Sequence, residues 1–309
     1  MTKSIAFVFP GQGSQYQGMG KNLAENFETA DNIFDKANQI LDIDLKKLLI
    51  DGPESKLNNT KNTQPAIFTV SYALNQILRN KGIKPEITAG HSLGEYSALG
   101  AVNSFSFEDG LNLVRQRGIL MDQAVPEGQG SMAALIGMNK EDVESLCNEI
   151  PGIIEIANYN TPNQIVISGD NEAIEEGLKL AEEKGARKAI KLNVSGPFHS
   201  SLMKPVQERL KKEIEKTNLN DAELPVIANV TAKSITRAED IKKELLSQLN
   251  HSVLWVDTVN LMLEKGIDTF IEVGPGRILK GLIRRIDRTP EVLNVQDQKS
   301  LEKTLKKLN

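Results

Sequence analysis

A serine set between two glycines, Gly90-His91-Ser92-Leu93-Gly94, constrains this chain more than any other stretch. Glycine carries no Cβ, so a backbone flanked by it can turn sharply and leave the serine hydroxyl projecting into open space. Such an elbow needs a strand before it and a helix after it. Glu86-Ile87-Thr88-Ala89 is short and apolar enough for the strand, and Glu95 to Ala101 is a run of small residues suited to the helix. The context predicts a strained turn that presents Ser92 as a nucleophile. Taken alone, the five residues also fit a glycine-rich turn with an ordinary serine.

Along the chain, short apolar runs alternate with longer amphipathic ones, which predicts an α/β architecture around a largely parallel sheet. Ile5–Phe9 reads as a buried strand. Residues 22–41, 64–78 and 107–121 read as helices, the second with Pro65 in its first turn. From about Gly128 the rhythm changes. Residues 131–138 read as a strand, 140–149 as a helix, 153–158 and 164–168 as strands, 171–185 as a helix and 188–194 as a strand. This βαββαβ order is that of a ferredoxin-like unit, here an insertion at 128–196 in a core made of 1–127 and 197–309. The alternation then resumes with helix 202–216, strand 225–229, helices 238–249 and 254–265, and strand 269–273. Gly274-Pro275-Gly276 and an amphipathic helix through Ile286 close the pattern. No Pro/Gly/Ser-rich linker separates the parts, so the two units are expected to pack tightly.

With 37 basic against 41 acidic side chains, the net charge of -4 argues against a strongly basic nucleic-acid surface and favours small-molecule or protein partners. The single cysteine, Cys147, sits among Val143, Leu146 and Ile150 at helical spacing and is expected in the core. A cytoplasmic setting follows. The N-terminal apolar run ends at Pro10-Gly11, too short for a membrane span or a signal-peptide core, so the mature chain is expected to begin at Met1.

A hydroxyl nucleophile needs a base, and histidine is the usual one because it titrates near neutrality. The chain has three. His91 adjoins Ser92, but neighbouring side chains at a sharp turn point apart, which suits His91 to shaping the turn. His199 follows Gly196-Pro197 at the start of a helix and is the stronger candidate; His251, between two helices, is the second.

Five stretches together resemble one family. Phe9-Pro10-Gly11-Gln12-Gly13-Ser14-Gln15, Gly90-His91-Ser92-Leu93-Gly94-Glu95-Tyr96, Arg117-Gly118, Gly196-Pro197-Phe198-His199 and Glu272-Val273-Gly274-Pro275-Gly276 occur in the order and at about the separations of malonyl-CoA:acyl carrier protein transacylases. The resemblance covers the whole chain and is to the freestanding bacterial enzyme of fatty acid synthesis. It implies an α/β-hydrolase-like core with an inserted ferredoxin-like subdomain. It also implies a ping-pong transfer in which His199 deprotonates Ser92, a malonyl-serine ester forms as coenzyme A leaves, and the phosphopantetheine thiol of acyl carrier protein takes the malonyl group. The partners implied are malonyl-CoA and acyl carrier protein, with no nucleic acid, no membrane, no metal and no redox cofactor, in a monomer. The family orients its histidine with a backbone carbonyl, and the matching residue is Gln248.

Within that frame, the backbone N–H groups of Leu93 and of Gln12, in a loop that Gly11 and Gly13 free to approach the substrate, are the candidate oxyanion donors. The Gly11-x-Gly13 pair has Tyr16 where a dinucleotide fingerprint needs a third glycine. Arg117 falls in an apolar helical stretch, where its planar fork can hold the free malonyl carboxylate; by spacing alone it also fits a surface ion pair. Arg115, two positions earlier, should face elsewhere. One departure stands out: His251-Ser252 precede Val253-Leu254-Trp255 where relatives often have Asn-Pro, which predicts a looser loop beside Gln248. Two basic clusters are candidates to guide an acidic carrier protein: Lys184, Arg187, Lys188 and Lys191, and Lys280, Arg284, Arg285 and Arg288. A hydrolytic esterase or thioesterase would share the elbow but has no need of a carboxylate-binding Arg117. A catalytically silent carrier-binding module needs neither Ser92, His199 nor the glycine loop.

Overall fold

Alternation along the first strand sets the layering. In β1 (Ile5–Phe9) Phe7 and Phe9 point to one face and Ala6 and Val8 to the other, and all four are buried, as a strand covered on both sides requires. The computed structural model describes residues 3–126 and 128–308; Met1 and the boundary residue Glu127 lie outside the described residues. The strands that follow are β2 (Ile87–Gly90), β3 (Gly130–Ile136), β4 (Ile154–Thr161), β5 (Gln164–Asp170) and β6 (Lys188–Lys191). The last four are β7 (Val226–Ile227), β8 (Ser234–Ile235), β9 (Thr269–Val273) and β10 (Glu291–Val295).

A six-stranded sheet has the order β10-β9-β1-β2-β7-β8 and is parallel except for β8. Helices Thr60–Asn80, Leu93–Ala101 and Phe107–Asp122 cover the Phe7/Phe9 face, and Trp255–Glu264 with Ile278–Ile286 cover the Ala6/Val8 face. A second, four-stranded sheet has the order β4-β5-β3-β6 and is antiparallel throughout. Helices Lys140–Glu149 and Asn171–Glu183 enclose a core of its own on one face, with Leu135, Ile167 and Leu146 inside. Its other face sends Met132, Ala134, Ala157 and Val166 into the main core. The expectation of tight packing between the units holds.

Several boundaries differ from the sequence expectation. Residues 22–41 form two helices, Lys21–Asn26 and Glu28–Ile40, because Phe27 is extended between them. The helix expected from Gln64 starts at Thr60, so Pro65 lies inside it and not in its first turn. The strand expected to run to Val194 stops at Lys191, freeing the following residues to line a cavity. Residues 202–216 divide into a 3₁₀ turn, Ser201–Val206, holding Pro205, and the helix Gln207–Lys216. The chain does not close at Ile286: β10 extends the parallel sheet and helix Gln298–Leu308 packs beside it. Cys147 is half-buried at the margin of the smaller core, not within it.

The elbow lies where β1 and β2 end side by side, with Phe9 opposite Gly90. Ser92 itself adopts the unusual backbone, φ 52° and ψ -109°. The flanking glycines serve a different need, close approach. A Cβ on Gly90 would lie 1.8 Å from Gly94 C, and one on Gly94 would lie 2.0 Å from Phe9 O. Gly11, in the first loop, is equally confined, 2.3 Å from His91 O.

Because backbone cannot yield as a side-chain tip can, Gly94→Ala is expected to cost about 4 kcal/mol or more and to lower the melting temperature by roughly 10 °C. Gly281→Ala, in open helical space, should leave it unchanged or slightly raised. A thermal melt of both variants checks this.

Candidate active site

The loop after β1, the elbow after β2 and helix Phe107–Asp122 converge on a cavity of about 260 Å³. Gln12, Ser92, Leu93, Arg117 and His199 line it, with Phe198 among its apolar walls. Five of the six sequence-derived site residues thus line one cavity, and the sixth, Gln248, is bonded to both His199 and Arg117.

His199 Nε2 lies 2.7 Å from Ser92 Oγ, and His199 Nδ1 lies 2.8 Å from the backbone oxygen of Gln248. A carbonyl can only accept, so Nδ1 carries the proton and Nε2 is the bare nitrogen that accepts from the serine hydroxyl. His199 sits in the left-handed region at φ 61°, past the Gly196-Pro197 turn, which swings its ring back over the elbow. Burial, then the positive charge of Arg117, pushes its pKa down to about 3. The ring is therefore neutral, with Nε2 unprotonated.

Arg117 is 1% exposed. Its Nη1 donates to Gln64 Oε1 at 2.9 Å, and its Nη2 donates to Gln248 Oε1 at 2.8 Å and to Ser92 Oγ at 3.2 Å. Among the described residues Nε has no partner, and every acceptor the guanidinium reaches is neutral. Its carbon lies 5.2 Å from the Tyr96 ring centre, a cation–π contact. Burial lowers its pKa from the usual arginine value. A charge kept inside without a carboxylate is costly unless something supplies one, which is what an anionic ligand would do. The surface ion-pair reading of Arg117 is excluded by this burial. Arg115 does face elsewhere, donating to Lys61 O and Asn62 Oδ1.

Leu93 is the first residue of its helix, so its N–H has no intrahelical acceptor. Neither that N–H nor the one of Gln12 donates to a protein acceptor among the described residues. Both are open to a ligand oxygen. The Gln12 side chain turns aside to Thr60 Oγ1 at 3.3 Å.

Residue patterns alone did not disclose a polar layer beneath the elbow. Asn229 accepts from Ser92 N–H at 2.7 Å and donates to Gly90 O at 2.6 Å, bracing both ends of the turn. The Gln248 side chain donates to Ser92 O at 2.9 Å and to Glu95 Oε2 at 2.5 Å, so Gln248 serves the site with its side chain as well as its carbonyl. Glu95 is 1% exposed, and burial pushes its pKa up to about 8. The available signals were slight: Glu95 closes the elbow motif, Gln64 interrupts an apolar helix face, and Asn229 ends an expected strand.

Of the other two histidines, His91 borders the cavity and His251 does not. His91 turns away to Asn160 Oδ1 at 2.7 Å and packs against Trp255, fitting the role of shaping the turn. His251 approaches Ser247 O at 2.8 Å and belongs to a separate groove behind His199. The expected looseness of that loop is not seen, because Val253 N–H donates to Ala157 O at 2.8 Å and Tyr159 N–H donates to Val253 O at 3.0 Å, tying it to β4. Ser252 Oγ adds a bond to Ile156 O. In the first basic cluster Lys184 and Lys191 are paired with Glu149 and Glu175. In the second, Lys280 and Arg284 border a groove beside β10. No helix among the described residues is long and apolar enough to cross a membrane.

The acyl transferase domain family matches residues 6–303. The malonyl CoA-acyl carrier protein transacylase of Bacillus subtilis is 44% identical across 99% of this chain and 98% of its own length. Among solved structures, the malonyl CoA-acyl carrier protein transacylase of Clostridium perfringens superposes with a TM-score of 0.95 at 44% identity, covering 99% of this chain and 97% of that one. A malonyl-transacylase solved in complex with its holo type II PKS acyl-carrier protein gives 0.96 at 40% identity, covering 99% and 100%.

With His199 already neutral, labelling of Ser92 by a fluorophosphonate is expected to keep a constant rate from pH 5 to pH 8 and to fall by roughly 10²- to 10⁴-fold in His199→Ala. A rate midpoint near pH 6.5 would contradict the depressed basicity. Glu95 gives a second pH signature. Between its ordinary value of 4.5 and about 8 the folded chain holds a proton that the unfolded chain has released, so this group's contribution to stability declines as pH rises through that window and levels off above it. Glu95→Gln should flatten that part of the decline in chemical-denaturation measurements.

Proposed function

The chain belongs to the acyl transferase domain family, and from that premise we propose that it moves a malonyl group from malonyl-CoA to the phosphopantetheine thiol of an acyl carrier protein, through an ester on Ser92, to supply fatty acid synthesis. The observation that carries the substrate class is Arg117, a buried cation 3.2 Å from the nucleophile whose partners are all neutral. A malonyl thioester brings the missing carboxylate; an acetyl thioester does not. Sites built around a polar partner can reject analogues lacking it by about 10⁴ or more.

The chemistry then follows from the contacts. Ser92 Oγ attacks the thioester carbonyl as its proton passes to His199 Nε2, which the Gln248 carbonyl holds in the required tautomer. The oxyanion is received by the N–H groups of Leu93 and Gln12. Collapse expels the coenzyme A sulfur, which takes the proton from His199 and leaves malonyl-Ser92. In the second half the carrier's thiol gives its proton to His199, attacks the ester, and returns the hydroxyl to Ser92. Charge balances in each half, with no need of a metal or redox cofactor. A carbonyl stabilises the transient imidazolium less than a triad carboxylate would, and the nearby malonyl carboxylate supplies negative charge in its place.

We read the parallel sheet with helices on both faces as an α/β-hydrolase-like core spanning 1–127 and 197–309, and 128–196 as a ferredoxin-like insertion. The β4-β5-β3-β6 order and the insertion's separate core support that division. The working form is a cytoplasmic monomer.

The test is intact-protein mass spectrometry within seconds of mixing with malonyl-CoA. A malonyl-sized adduct on Ser92 is expected, absent in Ser92→Ala and discharged by phosphopantetheinylated carrier protein. Arg117→Ala should lower malonyl kcat/KM by roughly 10²- to 10³-fold, the scale of losing one buried charge partner. Free malonate accumulating without transfer would make the protein a hydrolase.

A further inference from the structure

The Gln248 side-chain amide sits between one cation and three acceptors, and only one of its two orientations satisfies them. With its oxygen toward Arg117 Nη2 at 2.8 Å, its nitrogen faces Ser92 O at 2.9 Å, Glu95 Oε2 at 2.5 Å and Asn229 Oδ1 at 3.4 Å. Rotated by half a turn, it would set N–H against guanidinium N–H and oxygen against three oxygens. Two of those acceptors are already engaged by the elbow, since Asn229 Oδ1 accepts from Ser92 N–H and Ser92 O caps the helix start. Glu95 Oε2 is the closest of the three, and the donors at it are Gln248 Nε2 and, more distantly, Asn229 N–H at 3.4 Å.

We infer that Glu95 is a positioning residue for substrate recognition: by accepting from Gln248 Nε2 it locks the amide with its oxygen toward Arg117, and so keeps the guanidinium extended to Ser92. This rests on the malonyl-transfer reading, in which Arg117 must await the acyl carboxylate at that spot. Glu95 does this without becoming a rival for the charge. Its carboxyl forms no direct bond to Arg117; Gln248 stands between them, and the Oε1 atom has no partner among the described residues. The raised basicity of Glu95 agrees, because a protonated acid still accepts through its carbonyl while leaving the arginine charge uncancelled. A neutral acceptor of the same shape would therefore do the work, whereas an apolar side chain would not.

The test compares Glu95→Gln with Glu95→Met, which keeps the volume and removes the acceptor. In Glu95→Met the malonyl-CoA KM is expected to rise roughly 10- to 100-fold, the scale of leaving a buried polar group unsatisfied. The larger part of the loss falls in KM, while the inhibition constant of free coenzyme A, which has no acyl carboxylate, changes less than about 3-fold. Glu95→Gln should restore the malonyl KM to within about 3-fold of the unmodified enzyme. A merely structural role would move both constants together. Equal changes in both constants for Glu95→Met, or a KM in Glu95→Gln raised about 10-fold or more, overturns the inference. If Glu95→Met does not fold in a thermal melt, the Glu95→Gln result alone decides. Absence of any malonyl adduct in the unmodified enzyme would instead defeat the malonyl-transfer reading, independently of Glu95.

Discussion

Three backbone segments approach one another so closely at the ends of β1 and β2 that no side chain fits between them, and the rest of the site hangs on that contact. Gly94 rests on Phe9 O, Gly90 on the start of the next helix, and Gly11 on His91 O. The parallel register that sets Phe9 beside Gly90 makes the approach possible, and helices on both faces of the sheet hold it closed. Ser92 takes the strain, in a backbone conformation that residues other than glycine rarely adopt. In return, its hydroxyl faces the cavity, the adjacent N–H of Leu93 is left without a partner among the described residues, and the Gln12 loop is brought alongside. The proposed nucleophile and oxyanion donors are thus consequences of a single packing constraint.

Behind the elbow, hydrogen-bond direction does what a charged triad would do elsewhere. The Gln248 carbonyl fixes the tautomer of His199, its side-chain oxygen accepts from Arg117, and its side-chain nitrogen binds the elbow and Glu95. One residue at the end of helix Ala238–Gln248 therefore links His199, Arg117 and the Ser92 backbone. Asn229 performs the corresponding task on the other side of the turn, with one bond to each end. The layer is buried and almost wholly paired, so its members constrain one another's orientation.

How much of this the residues disclosed depends on whether a task needs a particular side chain or only a particular position. The elbow was legible because a strand-like stretch precedes Gly90-His91-Ser92-Leu93-Gly94 and a small-residue helix follows it, and His199 because the Gly196-Pro197 turn delivers it to the start of a helix. Both sheets followed from short apolar runs set between polar or turn residues, such as Ile5–Phe9 in β1 and residues 165–167 in β5. Gln248 was reached only through family resemblance, since a backbone carbonyl leaves no mark on residue type. Gln64, Glu95 and Asn229 were missed because a lone polar residue on a helix or at a strand end looks the same whether it meets solvent or a buried arginine. β10 was missed for a similar reason. Five residues after a proline, three of them only partly buried, carry too weak an alternation to announce an edge strand.

The buried arginine also connects recognition to chemistry. After burial itself, the charge of Arg117 is the main influence holding the basicity of His199 down. An acyl group that brings its own carboxylate cancels that charge at the moment it binds, and the imidazole beside it regains basicity when a proton must leave Ser92. A thioester lacking the carboxylate meets the same histidine with the arginine charge still in force, and so faces a weaker base as well as a poorer fit. Under the proposed function, selectivity for a carboxylate-bearing acyl group then arises twice from one side chain, once in binding and once in the proton transfer that follows.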